Sequence, residues 1–422
     1  MGKLFFLGFL FLSTVLYCQQ PPSASYLLRT GYVQPHIKPE NYTPHQLDEV
    51  TVAFYKQWKT VHIRRDCADP FQFYVFDNEK TNREHGIICV SEGQAYGMII
   101  AVTMAGFDPE AKNIFDGLFR FYKAHPSLVS PYLMTWEIAS GCVTKSAHDN
   151  NYSASDADMD IAFSLLLADK QWGSGGVINY RKEALLMLDA IRKHELNIVR
   201  HTVLLSDALE DDDPKYADTR TSDFMPGHFR EFFQATHDSI WLKVLDKEYK
   251  ILEHIQRKYS PKAGLLPDFI QFSKGEYIPA KAHYLESGHD GHYYYNACRI
   301  PWRLACDFLI SGDRRAYSMV CKMNRTMERK AKGDPDNLYS GFTLDGDDIH
   351  GNDYATPAFL APLAVGAMVD PSSQKWLTDL WNYMLKLQFN DYQYYDNTLQ
   401  LLCMIVISGN YQIPSTTTNL IK

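Results

Sequence analysis

Past its first 18 residues the chain has no apolar run long enough to cross a bilayer, so no membrane span is expected once that leader is removed. It also lacks basic runs longer than a few residues. With 42 Lys+Arg against 50 Asp+Glu, the net charge is −8, which argues against a nucleic-acid-binding surface. Cysteine is sparse: beyond Cys18 only Cys67, Cys89, Cys142, Cys298, Cys306, Cys321 and Cys403 remain. That density allows at most a few disulfides, and spacing does not reveal their pairing. Metal-ligand patterns are missing too. His289 and His292 lie three apart without an obvious third ligand, and the acids Asp156, Asp158 and Asp160 are followed by Ile161 where a calcium loop needs Gly. No metal and no cofactor are expected.

What is present reads as a soluble globular protein, 45% hydrophobic and 22% charged, with length for a sizeable core. Residues 1–18 read as a secretory signal: Lys3, the apolar stretch Leu4–Tyr17, then a polar switch at Gln19 and Gln20. Residues 19–42 bear Pro and Ser without periodicity and are expected to be a linker. Residues 43–415 are expected to form a single domain. Asn41, Asn151 and Asn324 each open a glycosylation sequon.

Helical periodicity dominates that domain. Twelve helices are expected near 43–62, 91–105, 108–124, 156–170, 178–196, 223–236, 238–257, 293–311, 312–331, 355–369, 372–388 and 395–408. Short turns alternate with long loops, as in six helical hairpins closing into an all-α double barrel, the (α/α)6 toroid. The long loops at 63–90, 125–155, 259–292 and 332–354 are expected to carry function.

Two motifs put carboxylates at helix starts, where unpaired N–H groups and the helix dipole favour negative charge. In Ser91-Glu92-Gly93-Gln94-Ala95-Tyr96-Gly97-Met98, Ser91 and Gln94 have capping-box spacing, and Gly93, Ala95 and Gly97 leave room for a large molecule to approach Glu92. In Ala154-Ser155-Asp156-Ala157-Asp158-Met159-Asp160-Ile161-Ala162, Asp156 and Asp160 share a helix face and Asp158 points elsewhere. A third run, Tyr284 to Arg303, leads from Glu286 through Tyr293, Tyr294 and Tyr295 into a helix bearing Arg299 and Arg303, with Pro301 tolerated in its first turn. Aromatic residues are 14% of the chain. Trp136, Tyr294, Tyr295, Tyr392, Tyr394 and Tyr395 fall in or beside loops, where flat rings suit the C–H faces of sugars.

Together these runs resemble glycoside hydrolase family 8. Ser91–Met98 is similar to that family's SEGxxYGM element, and Ala154–Trp172 to its ASD[AG]Dxx[IM]A signature. Asn296–Arg303 and Tyr394–Leu399 resemble two further landmarks. The resemblance spans roughly residues 45–412 and implies an (α/α)6 barrel that hydrolyses β-1,4-linked polysaccharide with inversion. It implies Glu92 as proton donor and Asp156 as the residue that binds and distorts the sugar ring beside the scissile bond. Where many members carry an Asp as general base this chain has Asn296, and an amide cannot accept a proton from water. In the subfamily of chitosanases, lichenases and some endoglucanases a loop Glu replaces it, which points to Glu286, with Asp290 as the fallback.

By the same resemblance Trp136, Tyr295, Arg299, Tyr96, Asn296 and Tyr395 are expected at the substrate subsites. Inversion needs room for a water, so the two carboxyl groups are expected about 6.5–9.5 Å apart. The expected protein is a secreted, monomeric, endo-acting enzyme whose partner is a polysaccharide: chitosan, lichenan or cellulose. A non-catalytic glycan-binding protein, a xylan-active enzyme and an (α/α)6 lyase are the competing readings.

Overall fold

The computed structural model describes residues 32–144 and 151–415. Its helices divide by what they bury. Helices α3 (Ser91–Thr103), α5 (Ser155–Trp172), α7 (Pro226–Thr236), α9 (Ile300–Ser311), α11 (Pro357–Ala367) and α13 (Tyr394–Ser408) form an inner set, most of them apolar around nearly their whole circumference. Every residue of α3 is buried except Glu92, and every residue of α13 except Tyr395. Helices α1 (Pro44–His62), α4 (Ala111–Ala124), α6 (Tyr180–His194), α8 (Ile240–Lys258), α10 (Arg314–Lys330) and α12 (Gln374–Lys386) are amphipathic. On α10, for example, Ala316, Met319, Val320, Met323 and Met327 face inward while Arg314, Ser318, Arg325 and Arg329 face water. Among the described residues, a five-residue α-helix, α2 (Lys80–Glu84), is the one the periodicity did not reveal.

Each inner helix packs on its inner neighbours in the cycle α3–α5–α7–α9–α11–α13 and back to α3. Each is also covered by an outer partner: α4, α6, α8, α10, α12 and, for α13, the first helix α1. This is the expected (α/α)6 toroid. The first turns of α3, α5 and α13 and the turn entering α9 open on one cleft, so the inner helices present their N-termini at one end of the barrel.

Several local expectations are corrected. Ser91 does not cap: the N-cap is Val90, and Gln94 turns into the core, accepting from the Val75 N–H at 3.1 Å and donating to the Phe73 and Leu118 carbonyls at 3.1 and 2.9 Å. The N-cap of α5 is Ala154, which leaves Asp156 and Asp158 in the first turn. The glycines of α3 admit protein, not ligand. A Cβ on Gly93 would stand 2.9 Å from the Tyr394 ring, and one on Gly97 2.3 Å from Val75. Helix α9 starts at Ile300 rather than near 293, because the Asp268 carboxylate takes the N–H groups of Tyr294, Asn296 and Ala297 and holds a separate turn there.

The described part of the expected linker is bonded to the barrel: Val33 and Ile37 donate to the Leu309 and Met368 carbonyls, and the Tyr32 hydroxyl to Val406. Residues 1–18, including Cys18, lie outside the described residues. One disulfide, Cys67–Cys142, ties the loops before α2 and before α5 across 75 residues, and the five other described cysteines are buried thiols. Asn151 and Asn324 are buried, which leaves Asn41 as the exposed sequon.

Candidate active site

At the N-terminal end of the inner barrel a cleft of about 590 Å³ is lined by Glu92, Trp136, Asp156, Arg220, Glu286, Tyr295, Asn296, Arg299 and Tyr395, among others. Glu92 sits in the first turn of α3, its side chain one-fifth exposed. Its Oε1 accepts from the Tyr394 hydroxyl at 3.0 Å, and its Oε2 is paired with Arg299. Burial raises its pKa, outweighing the pull of Arg299, and the nearby Asp156 charge raises it further. The three-stranded sheet of 87–90, 137–139 and 143–144 sets Trp136 beside it, since the Ser91 N–H donates to the Trp136 carbonyl at 2.9 Å. Trp136 is 37% exposed, an apolar plate at the cleft wall.

Asp156, in the first turn of α5, is clamped by two cations. Arg220 Nη2 reaches Oδ1 at 2.8 Å and Arg299 Nη1 reaches Oδ2 at 3.0 Å. Burial alone would raise its pKa; Arg220 and then Arg299 outweigh that and hold it low. One turn deeper, Asp160 meets Arg303 and His228, so the Asp156/Asp160 face matches the Arg299/Arg303 face across the bore. Asp158 points away, accepting from the Met134 N–H at 3.0 Å.

Glu286 stands on the loop of residues 280–292 with nearly half its side chain exposed. Asn296 Nδ2 donates to its Oε2 at 2.8 Å, and Arg220 Nη1 lies 3.9 Å from its Oε1. Asn296 is itself oriented by Arg299 Nη2, which donates to its Oδ1 at 2.8 Å. The amide therefore has one usable orientation, with its NH₂ toward Glu286. Carboxyl groups and guanidiniums interleave in a row, Glu286, Arg220, Asp156, Arg299, Glu92, and Asn296 bridges Arg299 back to Glu286. Asp290 is consumed elsewhere: 1% exposed, it accepts the N–H groups of Leu285, Glu286 and Ser287 at 2.7, 3.1 and 2.8 Å and so shapes the loop that carries Glu286.

Most of the expected subsite residues reach the cleft, but Tyr96 does not line it. Fully buried, it accepts from Arg299 Nη1 at 3.0 Å and supports that guanidinium from behind. Tyr395 is half-buried; its hydroxyl donates to the Tyr295 carbonyl at 2.6 Å, fixing the Tyr295 wall. Of the long loops, 332–354 contributes only through Tyr354, whose hydroxyl lies 3.4 Å from that of Tyr295. The residues sequence reasoning missed are Arg220 and its support Asp223, in the polar run Thr219-Arg220-Thr221-Ser222-Asp223. That run is almost wholly buried. Nothing in its composition distinguishes it from a solvated turn. Among the described residues no cluster of metal-binding side chains occurs.

A shielded carboxyl and an open carboxylate, carried by different elements of an aromatic-walled groove on an (α/α)6 toroid, define a glycoside hydrolase. The profile of glycosyl hydrolases family 8 matches residues 46–409, and the chain belongs to that family. A β-glucanase from Niallia circulans is 39% identical over 390 residues, covering 92% of this chain and 91% of that protein. An endoglucanase of Bacillus sp. (strain KSM-330) is 36% identical, covering 90% and 80%. The apo structure of a β-1,3-1,4-glucanase from Paenibacillus sp. X4 superposes with a TM-score of 0.86 at 38% identity, over 93% of this chain and 100% of that one.

Proposed function

We propose that the protein is a secreted, endo-acting, inverting β-glucanase that cleaves β-1,4 linkages, with mixed-linkage β-glucan as its preferred polymer. The observation that carries this reading is that Glu92 and Glu286 line one cleft yet stand in opposite environments. Glu92, its pKa raised by burial, is the acid of the pair and donates a proton to the leaving glycosidic oxygen. Glu286 Oε1 takes a proton from a water that attacks the anomeric carbon from the other ring face, while Oε2 stays bound to Asn296. Asp156, kept ionised by its two arginines, accepts hydrogen bonds from the hydroxyls of the distorted ring. Trp136 and Tyr295 stack neighbouring sugar rings. Water supplies the incoming oxygen and no cofactor is needed.

Similarity to a protein named β-glucanase and to a β-1,3-1,4-glucanase supports β-glucan rather than chitosan as the substrate. The Cys67–Cys142 disulfide supports export, since such bonds persist in oxidising compartments. A reducing-end assay on mixed-linkage β-glucan, carboxymethyl-cellulose, chitosan, β-1,3-glucan and xylan tests the substrate, with release expected chiefly from the first. Glu92→Gln is expected to lower kcat on that polymer by about 10²–10⁴-fold while leaving binding largely intact. Binding without new reducing ends in the wild-type protein would make it a glycan-binding protein instead.

A further inference from the structure

Glu286 is held loosely for a residue that must aim a water. Nearly half its side chain is exposed, and apart from Asn296 its charged neighbour at the cleft is Arg220. Arg220 is better fixed. It closes a short strand, Thr219–Arg220, that pairs with Phe269–Ser273, and the Phe269 N–H binds the Asp290 carbonyl at the base of the Glu286 loop. Its Nε donates to Asp223 Oδ1 at 2.9 Å, and the Ser222 hydroxyl supports the same oxygen at 3.0 Å. With Nε anchored, the planar fork spreads its two remaining arms, Nη2 to Asp156 at 2.8 Å and Nη1 toward Glu286 at 3.9 Å.

We propose that Arg220 is a positioning residue of the hydrolysis, fixing the Glu286 carboxylate relative to Asp156 and so the line along which water meets the ring that Asp156 holds. The inference rests on the reading of Glu286 as the base. At 3.9 Å the contact leaves Oε1 without a direct hydrogen bond, free to take the proton of a water, while its charge draws the carboxylate toward the ring. A lysine cannot replace this function, because one compact ammonium does not span three carboxylates.

The test compares Arg220→Met, Arg220→Lys, Glu92→Gln and Glu286→Gln on mixed-linkage β-glucan and on β-cellobiosyl fluoride. Fluoride departs without a proton, so it bypasses loss of the acid but not loss or misplacement of the base. Arg220→Met is expected to lose about 100-fold and Arg220→Lys about 10-fold in kcat on both substrates, with KM changed by no more than about threefold. Glu92→Gln is expected to recover on the fluoride. Wild-type kcat on the fluoride for Arg220→Met overturns the proposal, and if that variant does not fold, the same result for Arg220→Lys does. Glu286→Gln hydrolysing the fluoride at the wild-type rate removes the base assignment itself, whatever the arginine variants do.

Discussion

At the scale of single residues, Asn296 explains why a chain of this family can dispense with an Asp at that place. The amide accepts from Arg299 and donates to Glu286, roles that only a group with both a donor and an acceptor can fill. Asn296→Asp would face Glu286 with a second carboxylate where the present contact is 2.8 Å. Two carboxylates so close share a proton, and a base that holds a proton cannot take another. The variant is therefore expected to lose about 100-fold in kcat/KM at neutral pH rather than restore an alternative base, as initial rates across pH 5–8 would register. The presence of Glu286 and Asn296 was legible in the sequence through their family resemblance, but their hydrogen bond was not. Arg220 escaped because a buried polar run and a solvated one have the same composition; only the carboxylates of Asp156, Asp223 and Glu286 around it give it meaning.

At the scale of elements, the twelve long helices were readable because the two layers bury different amounts of surface. Stripes on α4, α8 and α10 carry the helical period, whereas α11 and α13 are near-continuous apolar runs whose length marks them as buried helices. What could not be read was which surface the small residues of α3 meet. Gly93 makes room for Tyr394, whose hydroxyl holds Glu92, so helix packing and acid placement are one arrangement. Gly93→Ala is expected to displace that ring, cost about 1–3 kcal/mol in urea unfolding and lower kcat. Gly227, whose added Cβ would meet nothing within 4 Å, is the control, with Gly227→Ala expected to leave both unchanged or slightly raise stability. The same limit applies at the start of α9, where the helical pattern runs back to 293 but Asp268 diverts the backbone N–H groups into a turn.

At the scale of the whole molecule, the toroid buries, wholly or in part, further carboxyls beyond the row from Glu286 to Glu92, with Glu79 on the wall of the same cleft. Burial raises Glu195 to about 8, with Asp207 adding to it, and Glu231 and Glu79 to about 7, Asp77 adding to the latter. Asp158, buried beside Glu195, is raised as well, by burial first and then by the Glu195 charge. For a carboxyl raised in the folded state, the folded chain binds the proton more tightly than the unfolded one. Its stabilising contribution is complete below the ordinary carboxyl range and is lost as pH rises through the folded value. Asp156 and Asp160 act oppositely: despite burial, Arg220 and Arg299 for the first and Arg303 for the second hold them low, so their contribution is lost only in acid. The melting temperature is accordingly expected to peak near pH 5 and to decline toward pH 8, as calorimetry at constant ionic strength would show. A flat profile between pH 5 and pH 8 would mean that these buried groups ionise freely.

The central claim is that a protonated Glu92 and an ionised Glu286 act from opposite faces of one sugar ring, with a water and not the enzyme as nucleophile. Proton NMR of the first reducing end released from mixed-linkage β-glucan measures this directly. The account predicts that the α-anomer appears first and mutarotates afterward to the equilibrium mixture. Initial release of the β-anomer would contradict it, because retention requires a carboxylate close enough to bond the ring.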